Sequence, residues 1–509
     1  MFVRKKKNSS GSVSVQVVDK SKKYRVVKTI GCAELPAEVD LLMRQGEAFI
    51  ASKETQLSWI PHAEVCQQGA IENFVSQLCN SQIRTIGPEL IFGTLFDRIG
   101  FGVIPDQLFR DIVVTRLVHP SSKLKTVDYL YRYRGLETSV DAIYRFLDKL
   151  NSVYKEQAEQ IAYQHTKAAL GGRIAVMFYD MTTLYFESED EDDLRKIGFS
   201  KDGKFQHPQI MLGLLVGLGG RPIGYNIFEG NTFEGKTLLP VLENIKRRYQ
   251  IRKPVVVADA ALLSSKNIEA LNSQGYGFII GARIKNESRE VKGNILREAK
   301  NLQDGQAIVV ESGSGLRLIV TYSKKRATKD QANRKKGIRK LESLLSSGRL
   351  TKEHINNRGY NKFLALDGEV RVSLDNNKIK QDELWDGLKG YVTNTTLSPD
   401  DVVRQYSQLW QIEKAFRISK TDLRIRPIFH HLRKRIEAHI LISFVAYAIY
   451  KELEVILEKS ETKISPRRAA ELCHTMYQLE YFLPQDPVSR KIILKMDEEQ
   501  QQLLKAISP

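Results

Sequence analysis

The sequence predicts an α/β protein: a mixed β-sheet flanked by helices, with a mainly helical N-terminal region and a β-rich insertion domain. Three observations lead there. From about residue 41 to 170 the apolar residues recur mostly with a helical period. From Gly172 the texture changes to β-branched and aromatic runs that follow one another as a meander. After the meander, helices and strands alternate, an order that suits a mixed sheet with helices packed on it.

Taken in order, residues 1–40 read as a β-hairpin segment, "SVSVQVV" and "KYRVVKTIG" around a polar turn. Residues 41–170 read as a mainly helical DNA-binding region. Inside it, "KLKTVDYLYRYRGLETSVDAIYRFLDKL" forms two amphipathic helices, with Gly135 as C-cap of the first and Thr138 or Ser139 as N-cap of the second. That pattern fits a DNA-binding helix-turn-helix and equally an ordinary helical hairpin. Arg132, Arg134, Tyr144 and Arg145 tilt it toward DNA.

Residues 171–284 form the first part of an α/β core. "RIAVMFYDMTTLYFES" is a strand, "HPQIMLGLLVGLGGRPIGYNIFEG" two strands around a Gly219-Gly220 turn, "TLLPVLENIKRRY" a helix, "KPVVVADAA" a strand, "SSKNIEALNSQG" a helix and "GFIIGARI" a strand. Residues 285–388 are the β-rich insertion, whose short strands flank a basic segment. From Lys324 to Lys340 that segment has nine basic residues against one acid, Asp330, and is either a solvated helix face or a phosphate-contacting arm. Lys324, Lys325, Arg326, Arg334, Lys335 and Lys336 are its candidate DNA contacts. Residues 389–455 complete the core with a strand, a long helix and a buried helix through "AHILISFVAYAIY", and 456–509 form a helical C-terminal region.

The bulk properties narrow the function. A chain of 509 residues with net charge +18 and a pI near 9.5 suits a polyanionic partner, nucleic acid before membrane. Its most apolar stretch, Ala438 to Tyr450, is thirteen residues and too short to span a bilayer. The start is basic without a following apolar run, so no secretory signal is expected. Cys32, Cys66, Cys79 and Cys473 lie far apart with no C-x-x-C, which suits a reducing cytosol. The histidines show no metal-ligand spacing.

Three acids carry the chemistry. Asp180 interrupts a strand, where a buried carboxylate needs a partner. Asp259 ends the apolar run of another strand, a frequent active-site position in open α/β sheets and also a frequent helix cap. The third lies on the long helix that Ser398, Pro399, Asp400 and Asp401 initiate. There Tyr406, Glu413 and Lys420 recur every seven residues, so they share one face, with Trp410 and Arg417 beside it. A helix at the edge of a cleft with Glu413 pointing in accounts for that mixture; the alternative is a surface coincidence with Glu413 paired to Arg417. Asp180, Asp259 and Glu413 together suit a site for two magnesium ions, which accept hard oxygen ligands and drive phosphoryl transfer.

"YSQLWQIEKAFRISKTDL" resembles the signature helix of DDE insertion-sequence transposases of the Tyr-x2-Arg-x3-Glu-x6-Lys subgroup. Tyr406, Glu413 and Lys420 match its first, third and fourth members; the second falls on Leu409, so the family arginine is missing, with Arg404 or Arg417 as substitutes. "FYDMTTLYFES", "GFSKDGKFQHPQIMLGLLV", "FEGNTFEGKTLLP", "VVADAALLSS" and "RIRPIFHH" resemble family stretches in the same order, over about Gly172 to Tyr450. The resemblance implies a ribonuclease-H-like core with Asp180, Asp259 and Glu413 as catalytic metal ligands. The metal would be Mg2+, two ions, with Mn2+ able to substitute. It implies cleavage and strand transfer at the ends of an insertion sequence, on double-stranded DNA with terminal inverted repeats and on target DNA. It also implies a homodimer in the synaptic complex, in a prokaryotic cytoplasm at the nucleoid. Tyr406 and Lys420 would hold phosphate, Trp410 or Tyr406 would stack on a flipped base, and Arg417, Arg424 and Arg426 would extend the DNA track. An inactive, domesticated DNA-binding protein and another ribonuclease-H-like nuclease are the alternatives.

Overall fold

A computed structural model describes the chain except for residues 10, 22, 55–71, 73, 77, 252–253, 263, 313–314, 357, 368–370, 483–487 and 509. Cys66 lies outside the described residues. The chain divides into two compact units, Met1–Gln82 with Tyr481–Arg490, and Ile83–Glu480 with Lys491–Pro509.

In the first unit, β1 (Phe2–Lys7), β2 (Val13–Asp19) and β3 (Arg25–Ala33) form an antiparallel sheet with β2 central, packed against the helix Pro36–Glu54. The hairpin read from the sequence is β2–β3. The basic run "FVRKKK" adds a third strand, because an edge strand tolerates lysines that face solvent. Val15, Val17 and Val18 of β2 are fully buried.

In the second unit, β4 (Ile83–Thr85) pairs with Tyr477–Leu479. The central sheet uses β5 (Val176–Tyr185), β6 (Gln209–Val216), β7 (Pro222–Glu229), β8 (Val255–Ala258), β9 (Gly277–Ala282), β10 (Ala307–Ser312) and β11 (Leu316–Tyr322). A separate hairpin holds β12 (Leu364–Asp367) and β13 (Arg371–Leu374), and β14 (Leu388–Thr393) returns to the sheet. The order is β10-β11-β14-β9-β8-β5-β6-β7. β5, β6 and β7 are an antiparallel meander, and β8 and β9 run parallel to β5. These five strands form the ribonuclease-H-like core. The sheet is covered on both faces, which is why β6 is buried at every position.

Two expectations change. The segment 285–388 is not a separate β-rich insertion: β10 and β11 extend the central sheet antiparallel to β14. What is inserted is mainly helical. The basic segment forms one helix, Lys324–Ser346, which packs Leu341 with Phe363 and Leu364 over the small hairpin. The long helix after Ser398 is also not continuous. It divides into Pro399–Ser407 and Trp410–Arg417, followed by a π-helical turn at Ile418–Asp422.

The helical hairpin forms as read. Gly135 caps the first helix with φ +65°, and the Ser139 side chain accepts from Ala142 N–H at the start of Val140–Lys149. Its cationic residues are largely engaged: Arg134 pairs with Glu89 at 2.9 Å, Arg132 with Asp128 at 2.6 Å, and Tyr144 lies beneath Arg435. Ile143, Phe146 and Leu147 are buried in the main core, together with the apolar face of the helix Arg433–Lys459. Among the described residues no helix is long and apolar enough to cross a membrane.

Candidate active site

Strand alternation decides where the two aspartates face. Along β5, Phe178 and Leu184 enter one core layer while Met177, Tyr179 and Met181 enter the other. Asp180 therefore shares the face of Phe178. Along β8, Val257 enters the Phe178 layer and Ala258 the opposite one, so Asp259, one step further, takes the Phe178 side. The parallel register sets Tyr179 beside Ala258, and the next residues on the two strands are Asp180 and Asp259. The helices Pro399–Ser407 and Trp410–Arg417 bury Val402, Tyr406, Ile412, Ala415 and Phe416 in that same layer.

The surroundings of Asp180 are acidic. Burial pushes its carboxyl up to about 6 against the opposing Lys201 charge, and Glu234 and Asp259 add to the rise. Lys201 Nζ lies 3.7 Å from Asp180 Oδ1 and 2.8 Å from Glu234 Oε1. Burial works against the Lys201 ammonium, but the Asp180 charge and the bond to Glu234 raise its pKa overall. Glu234 stands at a short 3-10 turn fixed from below. Tyr179 donates to Thr237 Oγ1 at 2.9 Å, Thr237 donates to the Glu234 carbonyl at 2.6 Å, and Asn267 donates to the Gly235 carbonyl at 2.8 Å.

Asp259 Oδ1 accepts from Ala260 N–H at 2.6 Å and, at 3.4 Å, from the Tyr406 hydroxyl. Tyr406 is buried, edge-on to Tyr391 with ring centroids 4.8 Å apart, and Lys389 Nζ lies 4.4 Å over its ring. Burial raises the Tyr406 phenol strongly, and the Asp259 charge adds to it, so this residue is a neutral donor. Burial and Arg326 push the Lys389 ammonium down, while Asp259 and Glu413 both favour its charge.

Glu413 itself is exposed and forms no ion pair with Arg417 among the described residues. The stripe of Tyr406, Glu413 and Lys420 is broken because the backbone tightens to i→i+3 hydrogen bonds between Gln405 and Ile412 and then widens into the π turn. Tyr406 ends buried, Glu413 exposed and Lys420 half-buried. Among the described residues no three His, Cys, Asp or Glu side chains come together closely enough to hold a metal ion. Asp180 and Asp259 do meet, and magnesium needs only one or two carboxylates when substrate phosphate and water complete its shell. Glu234 and Asp259 crowd like charge at Asp180, and Lys201 opposes it.

The DNA candidates divide by environment. Lys420 Nζ bonds both Asp202 oxygens at 3.2 Å, and Arg426 reaches Asp202 at 2.8 Å. Arg424, Arg417 and Trp410 are exposed, Trp410 at 53 % with Lys414 Nζ 5.7 Å over its ring. Lys324, Lys325, Arg326, Lys335 and Lys336 are exposed. Arg334 is the correction: it is 5 % exposed, and both its terminal nitrogens bond Asp386 at 2.6 Å, so it braces the insertion. Arg404 pairs with Asp401, Arg417 acts on Asp422 and Tyr450, and Leu409 packs on the core.

Sequence reasoning misses Lys201 and Glu234 at Asp180, Asp202 at Lys420, and Lys389 over the Tyr406 ring. The first three lie inside stretches that resemble the family, "GFSKDGKFQHPQIMLGLLV" and "FEGNTFEGKTLLP". Lys389 carries no sequence signal.

No curated protein matches the chain. Among solved structures, the piggyBac transposase synaptic complex with hairpin DNA is similar at 10% identity, a TM-score of 0.39 and 76% coverage of each chain. The transposase DDE domain family matches residues 171–449, a span that takes in Asp180, Asp259 and Glu413. The chain belongs to the DDE-domain transposases.

Proposed function

We propose that this transposase catalyses metal-dependent cleavage of DNA and strand transfer at the ends of an insertion sequence, by a cut-and-paste route. The observation that carries the reading is the pair Asp180, inside β5, and Asp259, just past the end of β8, in neighbouring register on adjacent parallel strands on the face covered by Tyr406. Asp180 and Asp259 would hold the magnesium. When bound, the metal supplies activation of the attacking oxygen and neutralisation of the leaving one. The chain's own groups do the rest. Lys201 balances Asp180 and Glu234 before DNA arrives. The Tyr406 hydroxyl orients Asp259. Lys420 and Arg426, held by Asp202, are placed to exchange that carboxylate for backbone phosphate. Double-stranded DNA with terminal repeats, a target duplex and a second copy of the chain in the synaptic complex complete this reading.

The test is cleavage of plasmid DNA carrying the sequence that flanks the gene. Wild type with magnesium should nick at the element ends, and Asp180→Asn should not. Equal nicking by both would remove Asp180 from the chemistry. The convergence of two acids rather than three among the described residues favours a second reading, a protein that holds DNA without cutting it. The same assay decides: specific binding to the ends with no magnesium-dependent nicking selects that alternative.

A further inference from the structure

Beside the helical hairpin lies a cavity of about 500 Å3 that the chemistry above does not use. Arg116, Lys123, Lys125, Arg424 and Arg426 line it, and no Asp or Glu is among its lining residues. Two of these cations are deep. Arg116 is 6 % exposed and makes only long bonds, at 3.4 Å, to the carbonyls of Leu423 and Arg424. Lys123 is 7 % exposed and has no hydrogen-bond acceptor or carboxylate among the described residues. Burial, then the Arg116 charge, push the Lys123 ammonium well down, and an anion in the cavity would offset that penalty. One more donor on the wall is unsatisfied: the buried Ser121 Oγ has no hydrogen-bond partner among the described residues. The field is strongly positive. Burial first, then Lys123 and Arg116, push the His430 imidazole down to about 3, so it stays neutral.

These groups form a built anion site, with cations from two helices and a free hydroxyl converging on one space. The volume exceeds that of an isolated ion and lies in the range of small-molecule sites. Leu124, Pro427 and Phe429 give it apolar walls. One wall residue, Arg426, shares Asp202 with Lys420, so the cavity continues the cationic track that leads to the acids.

We propose that this cavity binds a phosphate group, with room for the nucleotide unit that carries it. As a phosphate of a DNA strand the inference rests on the function proposed above; as free phosphate it does not.

The test is thermal melting of the full chain in inorganic phosphate against chloride at equal ionic strength. Phosphate should raise the wild-type melting temperature by roughly 2 °C or more. Lys123→Met should melt higher than wild type in chloride, because an unpaired buried charge is gone, and should lose the phosphate response. Arg424→Gln, an exposed change, should weaken that response and stands in if Lys123→Met does not fold. Asp180→Asn should keep the full response, which separates this site from the catalytic reading. A labelled duplex distinguishes the sources: weaker binding by Lys123→Met assigns the phosphate to a strand, and equal binding assigns it to free phosphate. An equal phosphate response in wild type and Lys123→Met, or none in wild type, overturns the proposal.

Discussion

Lys201 is the counter-charge of Asp180: its Nζ lies 3.7 Å from Asp180 Oδ1 while it donates to the Met181 carbonyl at 2.7 Å. A lysine bonded into the site in this way holds two acids in place before a metal does, and it sets the pH behaviour of the metal-free protein.

Asp180→Asn should stabilise the chain in chelator at neutral pH. The folded carboxyl titrates at about 6, above its ordinary value of 3.8. Its contribution to stability is therefore complete below 3.8 and is lost as pH rises through about 6. Above that, wild type carries a penalty on the order of 3 kcal/mol that asparagine does not. Melting curves at pH 4 and pH 7.5 check this: the variant's advantage should be largest at pH 7.5 and close toward pH 4. With magnesium and DNA, nicking should fall about 100-fold or more. A melting advantage independent of pH would contradict the burial argument.

Gly281→Ala should disable the site from beneath. A Cβ there would stand 2.5 Å from the Tyr406 hydroxyl and 3.2 Å from Ala260 N, so the ring must leave Asp259. The expected cost is about 1–3 kcal/mol of stability and about 10-fold or more in nicking. In a Tyr406→Leu background the same change should cost much less, a coupling that a double-mutant cycle measures.

Trp410→Ala tests base stacking. Of the two aromatic candidates, Tyr406 is buried against Tyr391, which leaves the exposed Trp410. Stability should change by no more than about 0.5 kcal/mol, while the yield of cleaved ends falls on a gel. Unchanged cleavage would end the stacking role.

The basic helix should separate into two kinds of residue. Replacing Lys324, Lys325, Lys335 and Lys336 with alanine should leave the melting temperature in place and flatten the salt dependence of DNA binding. The log–log slope should fall by about 0.9 for each backbone phosphate that the variant no longer neutralises. Arg334→Ala should instead destabilise the chain by about 3–5 kcal/mol, because it strands the Asp386 carboxylate. An intact fold in Arg334→Ala with a flattened salt slope would return Arg334 to the DNA-contacting group.

The core strands and the two strand acids were legible because their signals are local. An aspartate inside "VMFYDMTTLY" and another ending "VVVA" announce themselves against β-branched neighbours, and the glycine and serine caps of the helical hairpin are equally local. The helix around Glu413 was legible in its residue types but not in its shape. A seven-residue recurrence assumes a constant turn of about 100° per residue, and the backbone tightens at Leu409 and widens after Arg417. Arg334 and Lys335 are neighbours of one charge type in sequence; packing buries one and exposes the other.

The sequence alone determined the α/β class, the basic balance that suits DNA and the two aspartates, since each depends on residue type and short-range periodicity. The tertiary structure alone decided which groups share a space. Lys201 and Glu234 at Asp180, Lys389 over the Tyr406 ring, Asp202 beneath Lys420, and the unpaired Lys123 depend on proximity between residues far apart in the chain. Electrostatic energy follows distance in space, and separation along the chain does not set that distance until the sheet and its covering helices have formed.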